Sequence, residues 1–422
     1  MKKIILILCF MFSSVFSADV SMEIVKKSNT KPSILISSAL GALNESMLYK
    51  ITKIIQKDLD VSGHFNVKED TYKLSMTDNA DYIYLGRKKV DLFLNVNFEE
   101  SAFGGIVLKT KLYDVNAKNL VLSKTFTTSN INRHVFLAHR VAIATNAYMN
   151  APSIAWMDKF VIYSVYKKAK HSDIVISDYT LSYKKTIITG GLNIFPKWAS
   201  KKQDAFYFTR YVNSKPTLYK INIYTKRMIK ILDSDGMIVA SDVSSDGNKL
   251  LITASPEGQP DVYMLDLRTK KQTKITSYKG IDVGAHFIDN DKKIVFVSDR
   301  LNRPNIFSKT IGRRGVERLV YHGSNNSSVT TFNDKVVYTS RDRNSQFDKR
   351  SFNLFLISTR SDYIKKLTVT GVNQFPKFSS DGESILFIKN FNNKSSVGIV
   401  RLNFDKVHLF SSDNGRIQSI DW

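Results

Sequence analysis

Cysteine is nearly absent: Cys9 is the only one in 422 residues. That excludes a disulfide framework, a thiolate zinc site and a CxxC redox centre. Long apolar runs are also missing. Only Ile4–Phe16 is extended and hydrophobic, and it is too short to span a bilayer. No GxSxG, HExxH, P-loop or GxGxxG pattern occurs, so the common nucleophile, zinc and phosphate signatures have no carrier. Gly104-Gly105 and Gly190-Gly191 read as turn pairs. His134 and His139 are five apart on a helical stretch, on different faces, and so form a poor metal pair. Asp246-Gly247 and Asp381-Gly382 lack the further carboxylates of a calcium loop and read as hairpin turns. No cofactor is expected.

Acidic residues are scarce relative to basic ones. Lys and Arg number 62 against 38 Asp and Glu, a formal charge of +24. Residues 151–422 hold 43 basic and 25 acidic residues, so most of the excess lies there. The basic residues are scattered in ones and twos, as in a solvated basic surface, which would also steer an acidic partner. The N-terminus reads as an export signal: Lys2-Lys3, the apolar Ile4–Phe16, then small Ser17 and Ala18 at the cleavage point. The mature chain then starts near Ala18 or Asp19 and belongs in the periplasm or outside the cell. Export argues against a nucleic-acid partner.

The last two thirds repeat. Ile194-Phe195-Pro196-Lys197-Trp198 aligns with Gln374-Phe375-Pro376-Lys377-Phe378. Taking Phe195 as a mark, equivalent positions fall at Ala240, Gly284, Asn326, Phe375 and Ser419. A step of about 44 residues, each with four short strands and polar turns, is a propeller blade. Six aromatic or aliphatic second strands give six blades, the first at Phe160–Ser164 and the last at Ile385–Lys389. The terminal Ile417–Trp422 is a first strand with no second strand after it. It is expected to close the ring against Phe160–Ser164, covering two open sheet edges. Ala151–Trp156 is the other candidate for that inner position.

Upstream, the pattern is α/β. Strands are expected at Ser33–Ser37, Phe65–Val67 and Val90–Phe98, with a hairpin of Ile106–Asp114 and Leu120–Thr127. Helices are expected at Glu45–Leu59, capped by Asn44, and at Ile131–Met149. The organisation is therefore a signal peptide at 1–18, an α/β domain at 19–150 and a six-bladed β-propeller at 151–422.

With Ser244-Ser245-Asp246-Gly247, Asp261–Leu267 (DVYMLDL) and Ser380-Asp381-Gly382 added to the two Pro-Lys-aromatic motifs, the whole chain resembles the TolB family, the periplasmic component of the Tol-Pal system. Lys201-Lys202 in place of an Asp-Gly turn, and the lost Pro near Ser327, are departures. The resemblance implies a non-enzymatic, monomeric adaptor in envelope integrity and cell division. Its propeller face would bind the peptidoglycan-associated lipoprotein Pal, and its mature N-terminal segment would bind TolA. The TolA segment would be Asp19, Val20, Met22, Glu23, Ile24 and Val25, whose alternation suits strand addition. The Pal face would comprise the loops entering the first strands: Asn193, Phe195, Met237, Gly284, His286, Asn373 and Phe375. Charged substitutions at Asn193 and Asn373 together are expected to weaken Pal binding. A peptidoglycan- or carbohydrate-binding propeller using Trp198, Phe287 and Phe378 is the alternative, with a propeller hydrolase or lyase behind it.

Overall fold

The computed structural model describes residues 31–42, 44–101, 104–341, 351–391, 394–404, 406–412 and 415–422. The expected signal peptide and the Asp19–Val25 segment lie outside them. Residues Pro32–Trp422 form one compact unit.

The α/β domain is built on a five-stranded sheet. Its elements are β1 (Ser33–Ser38), α1 (Glu45–Ser62), β2 (Asn66–Lys68), α2 (Tyr82–Arg87), β3 (Leu92–Glu100), β4 (Ile106–Asp114), β5 (Asn119–Thr128) and α3 (His134–Tyr148). Strand order is β2-β1-β3-β4-β5, with β1 parallel to both neighbours and the rest an antiparallel meander. An interior parallel strand is covered on both faces, which is why Ile34, Leu35 and Ile36 are apolar in succession and do not alternate with polar residues. Asn44 Oδ1 accepts from the Met47 N–H at 3.0 Å and starts α1. Gly63 ends it at φ +76, where a Cβ would stand 2.8 Å from the Phe404 ring, so no other residue fits without a shift.

Helices α1 and α3 cover one sheet face through Ile51, Ile55, Leu59, Leu137 and Val141. The other face packs on Leu85 of α2, with Leu35, Phe93 and Tyr113. The sequence pattern gave no sign of α2. It is six residues long, and its start depends on the Asp81 carboxylate accepting from the Ile83 and Tyr84 N–H groups. Helix α3 is buried on most sides, between the sheet and the propeller, so its apolar stripe is broad.

The propeller has six blades of four strands. Their inner strands are Ile417–Asp421, Asn193–Trp198, Ile238–Val243, Asp282–Ile288, Ser324–Phe332 and Val372–Phe378. Each touches the next around the ring. Ile417–Asp421 pairs antiparallel with Val161–Lys168, so the C-terminus supplies the inner strand of the first blade. Residues Ala155–Asp158 form a 3-10 turn instead, removing the other candidate. A bridge between Phe352 and Val372 also joins the fifth and sixth blades into one eight-stranded sheet. Each blade core interleaves with its neighbour, as where Trp198, Phe206 and Phe208 meet Ile162, Ile174 and Ile176.

The α/β domain is keyed to the first and last blades. Phe136 packs edge-on against Phe160 and Tyr183, and Lys406 Nζ reaches Asp60 Oδ1 at 2.7 Å. Between them lies a buried polar cluster. His139 of α3 has Nδ1 2.7 Å from Asp58 Oδ2 of α1 and Nε2 3.4 Å from Asp178 Oδ2 of the first blade. The second contact is off hydrogen-bonding geometry and acts through charge. Tyr179 donates its hydroxyl to Asp58 Oδ1 at 2.5 Å. Asp178 also accepts from the Tyr183 N–H at 2.6 Å and from Thr180. Burial alone would push the His139 pKa down, but the charge of Asp58 and its contact with Asp178 outweigh it and hold it at about 10. The imidazolium is therefore the resident form, clamped between two domains.

The central channel as candidate interaction site

Inner strands of a propeller line its axis, and these six are not regular. In all six, the register with the second strand is interrupted. Four carry a residue with left-handed backbone at the break: Phe195 at φ 52, Gly284 at φ 62, Ser328 at φ 49 and Phe375 at φ 52. Glycine adopts this conformation freely, whereas a phenylalanine is strained there by about 1–3 kcal/mol. The Phe195 N–H is held by Ser419 Oγ at 3.1 Å and the Gly284 N–H by Thr253 Oγ1 at 3.0 Å, each from the neighbouring blade. The bulges thus aim side chains into the axis at one end of the ring.

There, Phe195, Met237, Gly284, His286 and Phe375 line one cavity of about 330 Å³. Val239, Val283, Val329, Pro196 and Pro376 complete an apolar wall. The structure brings these five expected face residues together from four blades. It does not bring Asn193 and Asn373 with them. Both are fully buried. Asn193 Nδ2 donates to the Ser172 and Gly190 carbonyls at 2.9 Å, and Asn373 Nδ2 to the Phe352 and Thr370 carbonyls at 2.9 and 3.0 Å. They pin equivalent loops in two blades. Charge at either position would break that scaffold, so the expected double substitution is not a surface probe.

The opposite mouth is a cavity of about 540 Å³, lined by the turns at Ser244–Gly247 and Ser379–Ser380 and by Trp198, Phe332, Phe378 and Trp422. Lys197, His286 and Lys377 line both cavities, so they form a waist between them. Lys197 Nζ lies 3.1 Å from Asp421 Oδ1 and 3.4 Å from Asp242 Oδ1. Lys377 Nζ lies 3.8 Å from Asp421 Oδ1, and His286 Nδ1 3.6 Å from Asp242 Oδ2. Each carboxylate also clasps the next blade: Asp421 Oδ2 accepts from the Trp198 N–H at 2.9 Å, and Asp242 Oδ2 from the Phe287 N–H at 3.0 Å.

The electrostatics of the waist are uneven. Burial disfavours the charge on Lys197, yet Asp421 and Asp242 outweigh it and hold its pKa above the ordinary lysine value. Burial would raise Asp242, but the Lys197 charge brings it well below the carboxylate range. Lys377 is pushed down by burial and by the like charge of Lys197. His286 is pushed down by burial despite Asp242, so it is neutral at pH 7. The waist therefore holds a satisfied lysine, a poorly satisfied lysine and a neutral imidazole. Sequence reasoning singled out His286 only as a face residue and missed the other four. The signal was present: all five lie two residues after a blade mark, where an inner strand would otherwise be uncharged.

Trp198, Phe287 and Phe378 are 5%, 7% and 9% exposed and pack in blade cores, so little of each ring is open to a glycan. Among the described residues, no group of three His, Cys, Asp or Glu side chains is placed to hold a metal. No described helix is long and apolar enough to cross a membrane.

Comparison with known proteins agrees with this architecture. Residues 20–121 match the family model described as the TolB amino-terminal domain, and residues 155–422 that of the TolB beta propeller domain. The Tol-Pal system protein TolB of Wolinella succinogenes is 43% identical, with all of both chains covered. The protein of that name from Campylobacter jejuni is 41% identical, again over the full length of both. The crystal structure of TolB from Acinetobacter baumannii superposes with a TM-score of 0.78 at 20% identity, covering 93% of this chain and 96% of that one, and shares the fold. The chain belongs to the TolB family.

Proposed function

We propose that this chain is a non-enzymatic periplasmic adaptor of the Tol-Pal system. It binds the lipoprotein Pal at the apolar mouth of its channel, and TolA through the segment Asp19, Val20, Met22, Glu23, Ile24 and Val25. The relatives that match along their whole length carry the name of that system. The observation that carries the Pal reading is the convergence of Phe195, Met237, Gly284 and Phe375 on one cavity, with both phenylalanines in strained left-handed backbone. An apolar pocket with a few charged groups at its floor suits an inserted loop that presents an apolar anchor and a polar tip. An acidic tip would find Lys377, the lysine least satisfied within the waist. The basic propeller would then speed association in a salt-sensitive way.

The test is an affinity pull-down of the mature protein from its own envelope extract. A peptidoglycan-anchored lipoprotein and a TolA-like membrane protein should be recovered. Recovery of neither, with glycan enrichment instead, would overturn the reading.

A further inference from the structure

The α/β domain holds a crevice of about 750 Å³ that shares no lining residue with either channel cavity. It opens at the carboxyl ends of β1 and β2. The chain leaving β1 enters α1 on one sheet face, and the chain leaving β2 crosses to Tyr72, Leu74 and α2 on the other. Adjacent parallel strands whose connections part in this way leave a cleft between them, which is where open α/β sheets bind ligands.

The crevice occupies the place of a missing stretch of strand. β2 is three residues long against six for β1, and their pairing ends at Leu35 with Lys68. Asp70 is the cause. Its Oδ1 accepts from the Tyr72 N–H at 2.9 Å and from the Tyr84 hydroxyl at 2.9 Å, a local turn that draws the chain off the β1 edge. The main chain returns at Leu74, whose carbonyl accepts from the Leu40 N–H at 3.1 Å. Alternation fixes which groups of β1 are left open between these points. The Ala39 N–H donates to Val96 O of β3, so the N–H and C=O of Ser38 face the other way, into the crevice. Ile36 C=O, two residues earlier, is taken by Gln56 Nε2 at 3.2 Å. The Ser38 N–H has no acceptor among the described residues. Its C=O is met by Ser37 Oγ at 3.3 Å, a hydroxyl already given to the Tyr72 carbonyl at 2.6 Å.

The walls supply a second, independent observation. Glu45, Tyr49, Thr52 and Gln56 line one side as a single stripe of α1. Lys53 is paired with Glu69 at 3.2 Å, and Asp70 with Lys88 at 3.1 Å. Among the described lining residues, that leaves Glu45 on the α1 side and Lys73 on the α2 side as charges without an ion pair. We propose that the crevice takes an extended peptide segment of another protein, added beside β1 where β2 stops. Its main chain pairs with Ser38, a basic side chain meets Glu45, and the neighbouring acidic side chain meets Lys73. Successive strand residues point to opposite faces, so adjacent basic and acidic residues reach the two walls. The open edge from Ile36 to Ala39 spans about 10 Å, room for about three strand residues. The site does not depend on the channel or on the segment proposed for TolA.

The test is selection of a phage-displayed library of random, linear twelve-residue peptides on the full mature chain, followed by depletion on folded Ser38→Pro. That substitution removes the open donor and costs no internal hydrogen bond. Peptides that survive depletion should carry adjacent basic and acidic residues and slow hydrogen exchange at the Ser38 amide. They should bind Glu45→Lys at least tenfold more weakly than wild type. Exchanging the basic residue of such a peptide for glutamate should restore binding to Glu45→Lys. Glu45 is exposed in the first turn of α1, so its variant serves for depletion where Ser38→Pro fails to fold. Absence of any surviving peptide would overturn the proposal. So would survivors that leave Ser38 exchange unchanged, or that bind Glu45→Lys as well as wild type.

Discussion

The molecule buries charge in two places, and the two clusters are built to opposite specifications. At the domain junction, His139, Asp58, Asp178 and Tyr179 are sealed from solvent, with contacts as short as 2.5 and 2.7 Å. In the channel, Lys197, Asp242, Asp421, His286 and Lys377 sit between two open cavities at 3.1 to 3.8 Å. The first cluster balances a cation between two anions that nothing else can reach. The second leaves one lysine less satisfied and one imidazole neutral. Sealed charge fixes how two domains meet, whereas reachable and incompletely paired charge is available to a partner. Two buried ionic clusters in one chain therefore have different uses, and burial alone does not tell them apart.

Removing the closing strand should have the largest effect. Without Ile417–Trp422, the chain loses Asp421, the Trp422–Trp156 contact and the inner edge of the first blade together. The truncated protein should lack a cooperative thermal transition by circular dichroism. A native-like melting curve would refute closure.

The junction comes next. His139→Ala leaves two buried carboxylates without their cation and should cost about 3–5 kcal/mol in urea denaturation. The pH dependence sharpens the assignment. The folded pKa of about 10 lies above the ordinary histidine value of 6.5, so the native state holds the extra proton. The stabilisation is complete below about pH 6.5 and is lost as pH rises through 10. The stability gap between wild type and His139→Gln should therefore narrow between pH 7 and pH 10.5. A constant gap would mean that the imidazole is neutral in the fold.

The channel should respond less and unevenly. Lys197→Met strands Asp421 and Asp242 beside each other and should destabilise by about 3 kcal/mol. Lys377→Met removes a charge that burial and Lys197 already oppose, and should change stability by less than about 1 kcal/mol. Equal costs for the two lysines in paired denaturant melts would erase the asymmetry.

What the sequence showed and what it hid follow from distance along the chain. The blade marks, the hairpin turns, the Asn44 cap and the closing strand are written in local patterns of a few residues. The junction cluster is not. His139 is 81 residues from Asp58 and 39 from Asp178, and an isolated histidine on an apolar helix announces no partner. The waist lies between those cases. Its residues are far apart in sequence but occupy one position of the repeat, so register reveals them once the blades are aligned. Asn193 and Asn373 show the reverse error. Their loop position suggested exposure, yet a loop entering an inner strand must satisfy its own carbonyls, and these amides do so.

The most direct measurement is the calorimetric affinity of the mature chain for its cognate Pal, for wild type and for Phe195→Ala combined with Phe375→Ala. These two side chains reach the channel mouth from strained backbone and have no part in the junction. The account predicts at least a tenfold loss of affinity, about 1.4 kcal/mol or more, in a protein that still melts cooperatively. An unchanged affinity in that folded double variant would contradict it and move the recognition surface away from the channel.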